Sequence, residues 1–207
     1  MQPNQLPGAI SNIGKVTQGA QAEAVETWLY DTFTIGVNTA LPAEYKLFQR
    51  GTGKSTYYQN FTLPAEQTVG YRITHIRAVA DMRFSAPANA LAAEKYFEDN
   101  TLLKTTNEDK QNPALAVTEL LDYNKIVNNG AYTVRNKVTN KYQLKDPIEI
   151  GGNTRVEFSL QFPQGLTTAL TGATNPYLGG SNGLAAGVTE GFSLRIILYG
   201  IQYRLVR

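Results

Sequence analysis

The last sixteen residues limit the possible folds more than any other part of the chain. Four apolar residues fall on one face of a strand there: Phe192, Leu194, Ile196 and Leu198. After Gly200 the apolar positions shift by one, to Ile201, Tyr203 and Leu205. A change of phase at a glycine is typical of a β-bulge or a sharp bend. The pattern therefore predicts a long, bent terminal strand in the centre of an antiparallel sandwich.

Three further segments have the pattern of long strands. Residues 155–162 alternate without error, with Val156, Phe158, Leu160 and Phe162 expected inside and Arg155, Glu157, Ser159 and Gln161 outside. In residues 28–37 only Asp31 interrupts the apolar face. The apolar phase of residues 69–84 changes near Thr74 and His75. Such changes are expected where a strand bends from one sheet towards another.

The other elements are predicted to be short. Residues 44–49 and 57–63 favour strands, and residues 131–144, after the turn 128–130, favour an exposed hairpin. Helix is expected in an insertion over about 87–127. Its first helix is Ala88–Glu98, and its second is Ala114–Asp122, which Asn112 and Pro113 would begin.

This set of elements predicts an all-β fold, an antiparallel eight-stranded jelly-roll sandwich with short helical insertions. Residues 1–25 are polar and sparse in aliphatic residues, so we expect an extended N-terminal arm before a single domain over 26–207. Residues 163–191 form a 29-residue connection with seven glycines and one charge, Glu190. A long neutral loop of this kind suits contact with another subunit, or is a mobile solvent loop.

Composition excludes several classes of function. The chain has no cysteine, so neither disulfides nor thiolate metal sites contribute. The formal net charge is +2, with 19 basic and 17 acidic residues. A balance so close to neutral argues against nucleic acid as the main partner. No apolar run reaches the roughly 18 residues of a membrane-spanning helix.

Residues 51–56 (GTGKST) invite comparison with a phosphate-binding loop. That loop needs a glycine where this chain has Phe48, and a helix that starts at the lysine. The strand-prone Tyr57 and Tyr58 follow instead. The stretch therefore predicts a turn that needs glycine backbones, and replacement of Lys54 by alanine is expected to have no effect.

Catalytic chemistry finds little support in the sequence. His75 is the only histidine, and it lies at the expected phase change, which favours a structural role. A metal site or a Ser-His-Asp arrangement would need a convergent polar set that the chain does not offer. We predict that the protein is not an enzyme and has no catalytic, cofactor-binding or metal-binding residues. Among the many aromatics, Trp28, Tyr57 and Tyr58 could stack on a sugar, or could fill the core.

Two stretches resemble a known family: 63–73 (LPAEQTVGYRI) and 197–203 (ILYGIQY). With the neutral arm, the bent strands, the insertions and the long neutral loop, they resemble single jelly-roll coat proteins of icosahedral viruses. The likeness covers roughly residues 26–207, and is greatest to capsid proteins of tailless bacteriophages.

The resemblance implies a virion structural protein that self-assembles into an icosahedral capsid. Its partners would be other copies of itself and other virion proteins, and it would assemble in the host cytoplasm. The arm carries only Lys15 as a basic residue, unlike arms that neutralise a packaged genome. An internal membrane and a packaged genome therefore both remain candidate partners. The alternative is a carbohydrate- or receptor-binding jelly-roll module, such as a viral spike.

Overall fold

A computed structural model describes residues 21–36, 42–83, 100–108, 110–121, 124–128, 132–136, 141–151, 154–162 and 191–206. The elements are β1 (Gln21–Gly36), β2 (Glu44–Lys46), β3 (Val69–Arg83), β4 (Leu102–Asn107), β5 (Lys110–Gln111), β6 (Leu115–Ala116), α1 (Val117–Leu120), β7 (Asn124–Asn128), β8 (Tyr132–Asn136), β9 (Tyr142–Ile150), β10 (Val156–Gln161) and β11 (Gly191–Val206).

The strands form antiparallel sheets, so the all-β prediction is confirmed. One sheet has the order β1-β11-β3-β9, which places the terminal strand β11 between two long neighbours. A second has the order β2-β10-β4-β5, with β6 also paired to β4, and β7 pairs with β8 in a separate hairpin. The four-residue α1 is the one helix that lies wholly within the described ranges, which otherwise contain a single helical residue, Asn100.

Both sheets contribute side chains to one hydrophobic core. Phe33 of β1 packs against Tyr45 of β2, with ring centroids 4.8 Å apart, and against Phe162 at 5.1 Å. The four residues of 155–162 that were predicted to face inward are all buried. The prediction that Ser159 faces outward is wrong, since its side chain is also buried. The core forms because alternate side chains of each strand leave water on the same side of the sheet.

The predicted phase change in β3 is confirmed. Ile73 lies opposite Gly200 of β11, and His75 lies opposite Tyr199, so Thr74 is an extra residue in β3. This bulge lets both Ile73 and Ile76 point into the core, where both are fully buried.

The sequence pattern predicted a bulge or bend at Gly200 in β11, but the structure gives this glycine a different role. The pairing of β11 with β1 is unbroken from end to end, so the extra residue belongs to β3 and not to β11. Ile201 and Tyr203 therefore lie on the opposite face of the sheet from Leu198. A side chain at Gly200 would overlap the carbonyl oxygen of Arg72. Glycine is required here because the backbone of β3 approaches so closely.

Several predicted boundaries need correction. β1 begins at Gln21, opposite Val206, so the last five residues assigned to the arm belong to the sheet. Residues 57–63 were predicted as a strand, but they form turns with single bridges at Gln59 and Leu63. In the predicted hairpin 131–144, β8 pairs with the preceding β7, and the last residues belong to β9.

The predicted helix Ala114–Asp122 is also wrong. Residues 115–116 pair with β4, and helix begins only at Val117, without a capping side chain. The backbone N–H of Val117 donates to the Thr101 carbonyl at 2.9 Å, which holds the segment against the second sheet. Tertiary pairing thus overrides the local helix propensity. The predicted insertion over about 87–127 contains the core strand β4, whereas the predicted helix Ala88–Glu98 and most of the neutral loop lie outside the described residues.

Candidate interaction surface

The face of the β1-β11-β3-β9 sheet that points away from the core carries aromatic and basic side chains. Leu29, Asp31 and Phe33 of β1 are buried, so alternation places their neighbours on the opposite face. We call this region the outer face. Its positions include Glu26, Trp28, Tyr30 and Thr32 on β1, Arg195, Ile197, Tyr199 and Ile201 on β11, Arg72, His75, Arg77 and Val79 on β3, and Gln143 and Glu149 on β9, with the neighbouring Lys141.

Arg195 occupies the centre of a stacked group on the outer face. Its guanidinium lies 5.0 Å from the ring centroid of Tyr30 and 5.1 Å from that of Tyr57. Its Nε donates to Thr32 Oγ1 at 3.0 Å, and its Nη2 donates to the Tyr57 carbonyl at 2.8 Å. These contacts fix the orientation of the cation and attach the loop of Tyr57 to the sheet.

Asn60 attaches the same loop to the free edge of β1. The backbone N–H of Tyr30 donates to Asn60 Oδ1 at 2.6 Å, and Asn60 Nδ2 donates to the Trp28 carbonyl at 3.0 Å. The Tyr30 hydroxyl also donates to the Thr56 carbonyl at 2.5 Å. An asparagine side chain therefore satisfies backbone groups that an edge strand would otherwise expose.

Three large aromatics stay exposed on this rigid support. Trp28 is 61% exposed, Tyr57 67% and Tyr58 42%. The rings of Tyr57 and Tyr58 meet edge to face at 5.0 Å. The structure thus brings onto one side of β1 the three residues that the sequence offered for stacking. We call Trp28, Tyr30, Tyr57, Tyr58 and Arg195 the aromatic patch; exposed aromatics held in one place are typical of interaction surfaces.

A buried carboxylate lies beneath this loop. Asp31 accepts hydrogen bonds from the backbone N–H of Phe48 at 2.5 Å and from Gln59 Nε2 at 3.4 Å, and it pairs with Lys54. Lys54 Nζ also lies 5.1 Å from the ring centroid of Tyr45. The lysine of the GTGKST stretch therefore points inward and cannot hold a phosphate.

The turn predicted for this stretch is confirmed, because Gly51 and Gly53 have φ values of 74° and 67°, which favour glycine. The expectation that Lys54 is dispensable is reversed. Its ammonium group is the partner of a fully buried charge.

His75 has a local contact in the bulge, where Thr74 Oγ1 lies 2.9 Å from its Nδ1. Across the ranges that the structure describes, no three His, Cys, Asp or Glu side chains are grouped to hold a metal. A search of the same ranges for a helix long and apolar enough to cross a membrane finds none.

A polar groove of about 260 Å³ lies on the second sheet, lined by Thr106, Glu108, Gln111, Arg155 and Glu157. Glu157 there is paired with Lys46 at 3.3 Å and with Arg155 at 3.7 Å. Because Glu157 is already paired with two cations, the groove gives no evidence of a binding site for a charged ligand.

Two ionisable groups have shifted pKa values. Burial raises the pKa of the Tyr71 hydroxyl, and the charge of Glu66 raises it further. The hydrogen bond from Arg204 to Glu23, aided by their charge attraction, raises the pKa of the Arg204 guanidinium. Neither group belongs to the aromatic patch.

The chain matches no protein-family model and no curated protein sequence. Sequence reasoning named Trp28, Tyr57 and Tyr58 but missed Arg195 and Asn60. An arginine on the polar side of a strand carries no distinguishing signal, because its aromatic neighbours come from segments far away in the sequence.

Proposed function

We propose that the chain is a jelly-roll coat subunit that self-assembles into an icosahedral virion shell. The pairing of its strands is the observation that carries this proposal. β5 and β6 both run along one side of β4, with registers that differ by one residue. Pro113 lies between them and has no N–H to donate, so the two count as one interrupted edge strand.

With β5 and β6 merged and the β7–β8 hairpin set aside, eight strands remain. In chain order, the first pairs with the eighth (β1 with β11), the second with the seventh (β2 with β10), the third with the sixth (β3 with β9) and the fourth with the fifth (β4 with β6). The sheets then have the orders 1-8-3-6 and 2-7-4-5. One long antiparallel ribbon that is rolled up gives these orders, which supports a jelly-roll sandwich.

Coat proteins, lectins and enzymes all use the jelly-roll fold, so the fold alone does not assign a function. The choice among these classes depends on features of the surface. The aromatic patch favours assembly. Arg195 stacks on the rings of Tyr30 and Tyr57, and Asn60 fixes the backbone at Trp28, so part of the entropy that a neighbouring copy would have to remove is already lost. Closed symmetric assembly allows one such patch to serve every subunit.

The test is the particle mass of the purified chain, measured by light scattering and negative-stain microscopy. We expect large closed particles for the wild type. The double variant Trp28→Ala/Tyr57→Ala should remain folded and assemble poorly, whereas Glu119→Ala, an exposed change on α1, should assemble normally. A wild-type chain that stays monomeric at high concentration would contradict the proposal.

A carbohydrate-binding module is the second candidate. The exposure of Trp28 and Tyr57 favours it, because a sugar ring stacks on an exposed aromatic face. A monomeric chain that binds a neutral oligosaccharide, and loses that binding in Trp28→Ala, would replace the coat proposal by this one.

A further inference from the structure

The first part of β1, residues 21–27, presents a strand edge with no partner in the described part of the chain. β1 is the outermost strand of its sheet, and only β11 pairs with it over these residues. Further along β1, the loop of Asn60 covers the same edge between Trp28 and Asp31. Residues 23–26 are exposed. A bare strand edge is a template for pairing with another chain.

The contacts of Asn60 show which backbone groups of β1 point away from β11. The carbonyls of Trp28 and Tyr30 and the N–H of Tyr30 all bond to Asn60 on this side of the strand. Alternate residues of an antiparallel strand direct their backbone groups to the same side. Because the register with β11 is unbroken, the N–H and carbonyl groups at 22, 24 and 26 also point outward. Each of these positions therefore offers one donor and one acceptor.

We infer that this edge pairs with the same edge of a second copy of the chain, antiparallel, around a two-fold axis at Ala24. Each outward position would exchange two hydrogen bonds with its partner, which gives about six across the contact. The two sheets would then form one continuous sheet, and both copies would use the same surface. The identity of the second copy as a neighbouring coat subunit rests on the proposed function, whereas the pairing itself does not.

The charges along the edge fit a second copy in this register. With the axis at Ala24, Glu23 lies opposite Val25 of the second copy, and Glu26 lies opposite Ala22. Each carboxylate thus faces an uncharged residue, whereas like charges directly opposite each other would weaken the pair. The sequence of the edge is therefore compatible with its own antiparallel copy.

The neighbouring registers are less favourable. An axis at Glu23 would set the carboxylates of the two copies directly opposite each other. An axis at Val25 would bring residue 22 of the second copy beside Trp28, whose carbonyl already accepts a hydrogen bond from Asn60. Ala24 is the centre that uses all of 21–27 and avoids both conflicts. The edge also ends where the aromatic patch begins, at Trp28, so one neighbouring copy can contact both.

A single introduced cysteine tests the axis, because the chain has no cysteine of its own. Hydrogen-bonded residues opposite each other have Cα atoms about 5.5 Å apart, which a disulfide can bridge. The full chain with Ala24→Cys, oxidised at a concentration where light scattering detects no particles, should give a covalent dimer on a non-reducing gel. The control Val25→Cys, also exposed, should stay monomeric, because diagonal neighbours lie about 7–8 Å apart.

A matched pair of variants measures the contact without a disulfide. Ala24→Glu would place two carboxylates on the axis, close to Glu26, and should weaken self-association by about fivefold or more relative to Ala24→Gln. Sedimentation equilibrium measures this difference, and added salt should reduce it. Both variants should keep the wild-type melting temperature, because Ala24 is exposed.

Absence of the Ala24→Cys dimer, or equal cross-linking of Val25→Cys, would overturn the inference. A dimer that appears only after deletion of residues 1–20 would overturn it too, since that segment would then be the occupant of the edge. Particle mass is measured separately. Closed particles without cross-linking at residue 24 would keep the coat proposal and remove this one, and cross-linked dimers that never form particles would do the reverse.

Discussion

Asp31 and Lys54 form an ion pair inside the protein, although 23 residues separate them in the sequence. The Asp31 side chain is 1% exposed and that of Lys54 is 16% exposed. The backbone N–H groups of Thr32 and Phe48 donate to the same carboxylate. The pair therefore joins strand β1 to the loop that presents Tyr57 and Tyr58.

Lys54→Ala should destabilise the protein by about 3 kcal/mol, because it leaves a buried carboxylate without its cation. The free energy of unfolding in urea measures this. The control Lys46→Ala breaks a surface pair with Glu157 and should cost at most about 1 kcal/mol. Equal, small effects of the two substitutions would mean that Lys54 contributes nothing to stability.

ATP and GTP should not bind the wild-type protein, because Lys54 points inward. Nucleotide binding that Lys54→Ala abolishes would restore the phosphate-loop interpretation.

Gly200→Ala should be among the most damaging single changes. The added Cβ would lie 2.8 Å from the carbonyl carbon of Arg72 and 2.9 Å from the Cα of Ile73, and backbone cannot move aside cheaply. We expect the free energy of unfolding, measured by heat or urea, to fall by about 3 kcal/mol or more. Gln202→Ala, two residues along the same strand, should cost less than about 1 kcal/mol. A stable Gly200→Ala protein would show that the two strands can separate locally.

Truncation after Tyr199 should prevent cooperative folding. It removes the half of β11 that pairs with both β1 and β3, together with Ile201, Tyr203 and Leu205. Tyr203 is buried there, so the truncation loses roughly 1.5–3 kcal/mol of apolar burial in addition to the strand pairing. Circular dichroism during heating tests this, and a soluble product with a sharp transition would show that this part of the strand is peripheral.

Alkaline pH should destabilise the fold through Tyr71. Because burial raises the pKa of its hydroxyl, the unfolded chain releases this proton first, near pH 10. Above that pH the folded state binds more protons than the unfolded state, so stability falls as pH rises through the folded pKa. Tyr71→Phe keeps the ring that contacts Phe61 and should flatten the fall in the free energy of unfolding as the pH rises above about 10. An unchanged slope would exclude Tyr71 as its source.

Deletion of residues 1–20 should leave the melting temperature nearly unchanged and weaken assembly. The cut is placed before Gln21, where β1 begins, so that the sheet stays complete. Assembly should depend only modestly on salt, since the deleted segment holds one basic residue, Lys15. Particle mass over a range of salt concentrations measures both effects. A chain that is monomeric with or without these residues would favour the glycan-binding alternative.

Alternation along the chain determined most of the core. Leu194, Ile196 and Leu198 are buried as their spacing predicts, because a strand places every second side chain on the same face. The phase change near Thr74 was also visible, since two buried residues three positions apart cannot share one face of a regular strand. These features are local, so the sequence alone predicts them.

Contacts between distant segments were decided only by the tertiary structure. Asp31 looked like an interruption of an apolar face, and Lys54 like an exposed lysine in a turn, until the fold placed one against the other. Leu115 and Ala116 lie in a helix-prone stretch but form a strand, because β4 offers them hydrogen bonds that local propensity cannot outweigh. The groups that contact Arg195 belong to β1 and to the loop of Tyr57, both of which are far from Arg195 in the sequence. The sequence determined which side chains leave water, and the tertiary structure decided which polar groups meet, because such contacts depend on chain segments that only folding brings together.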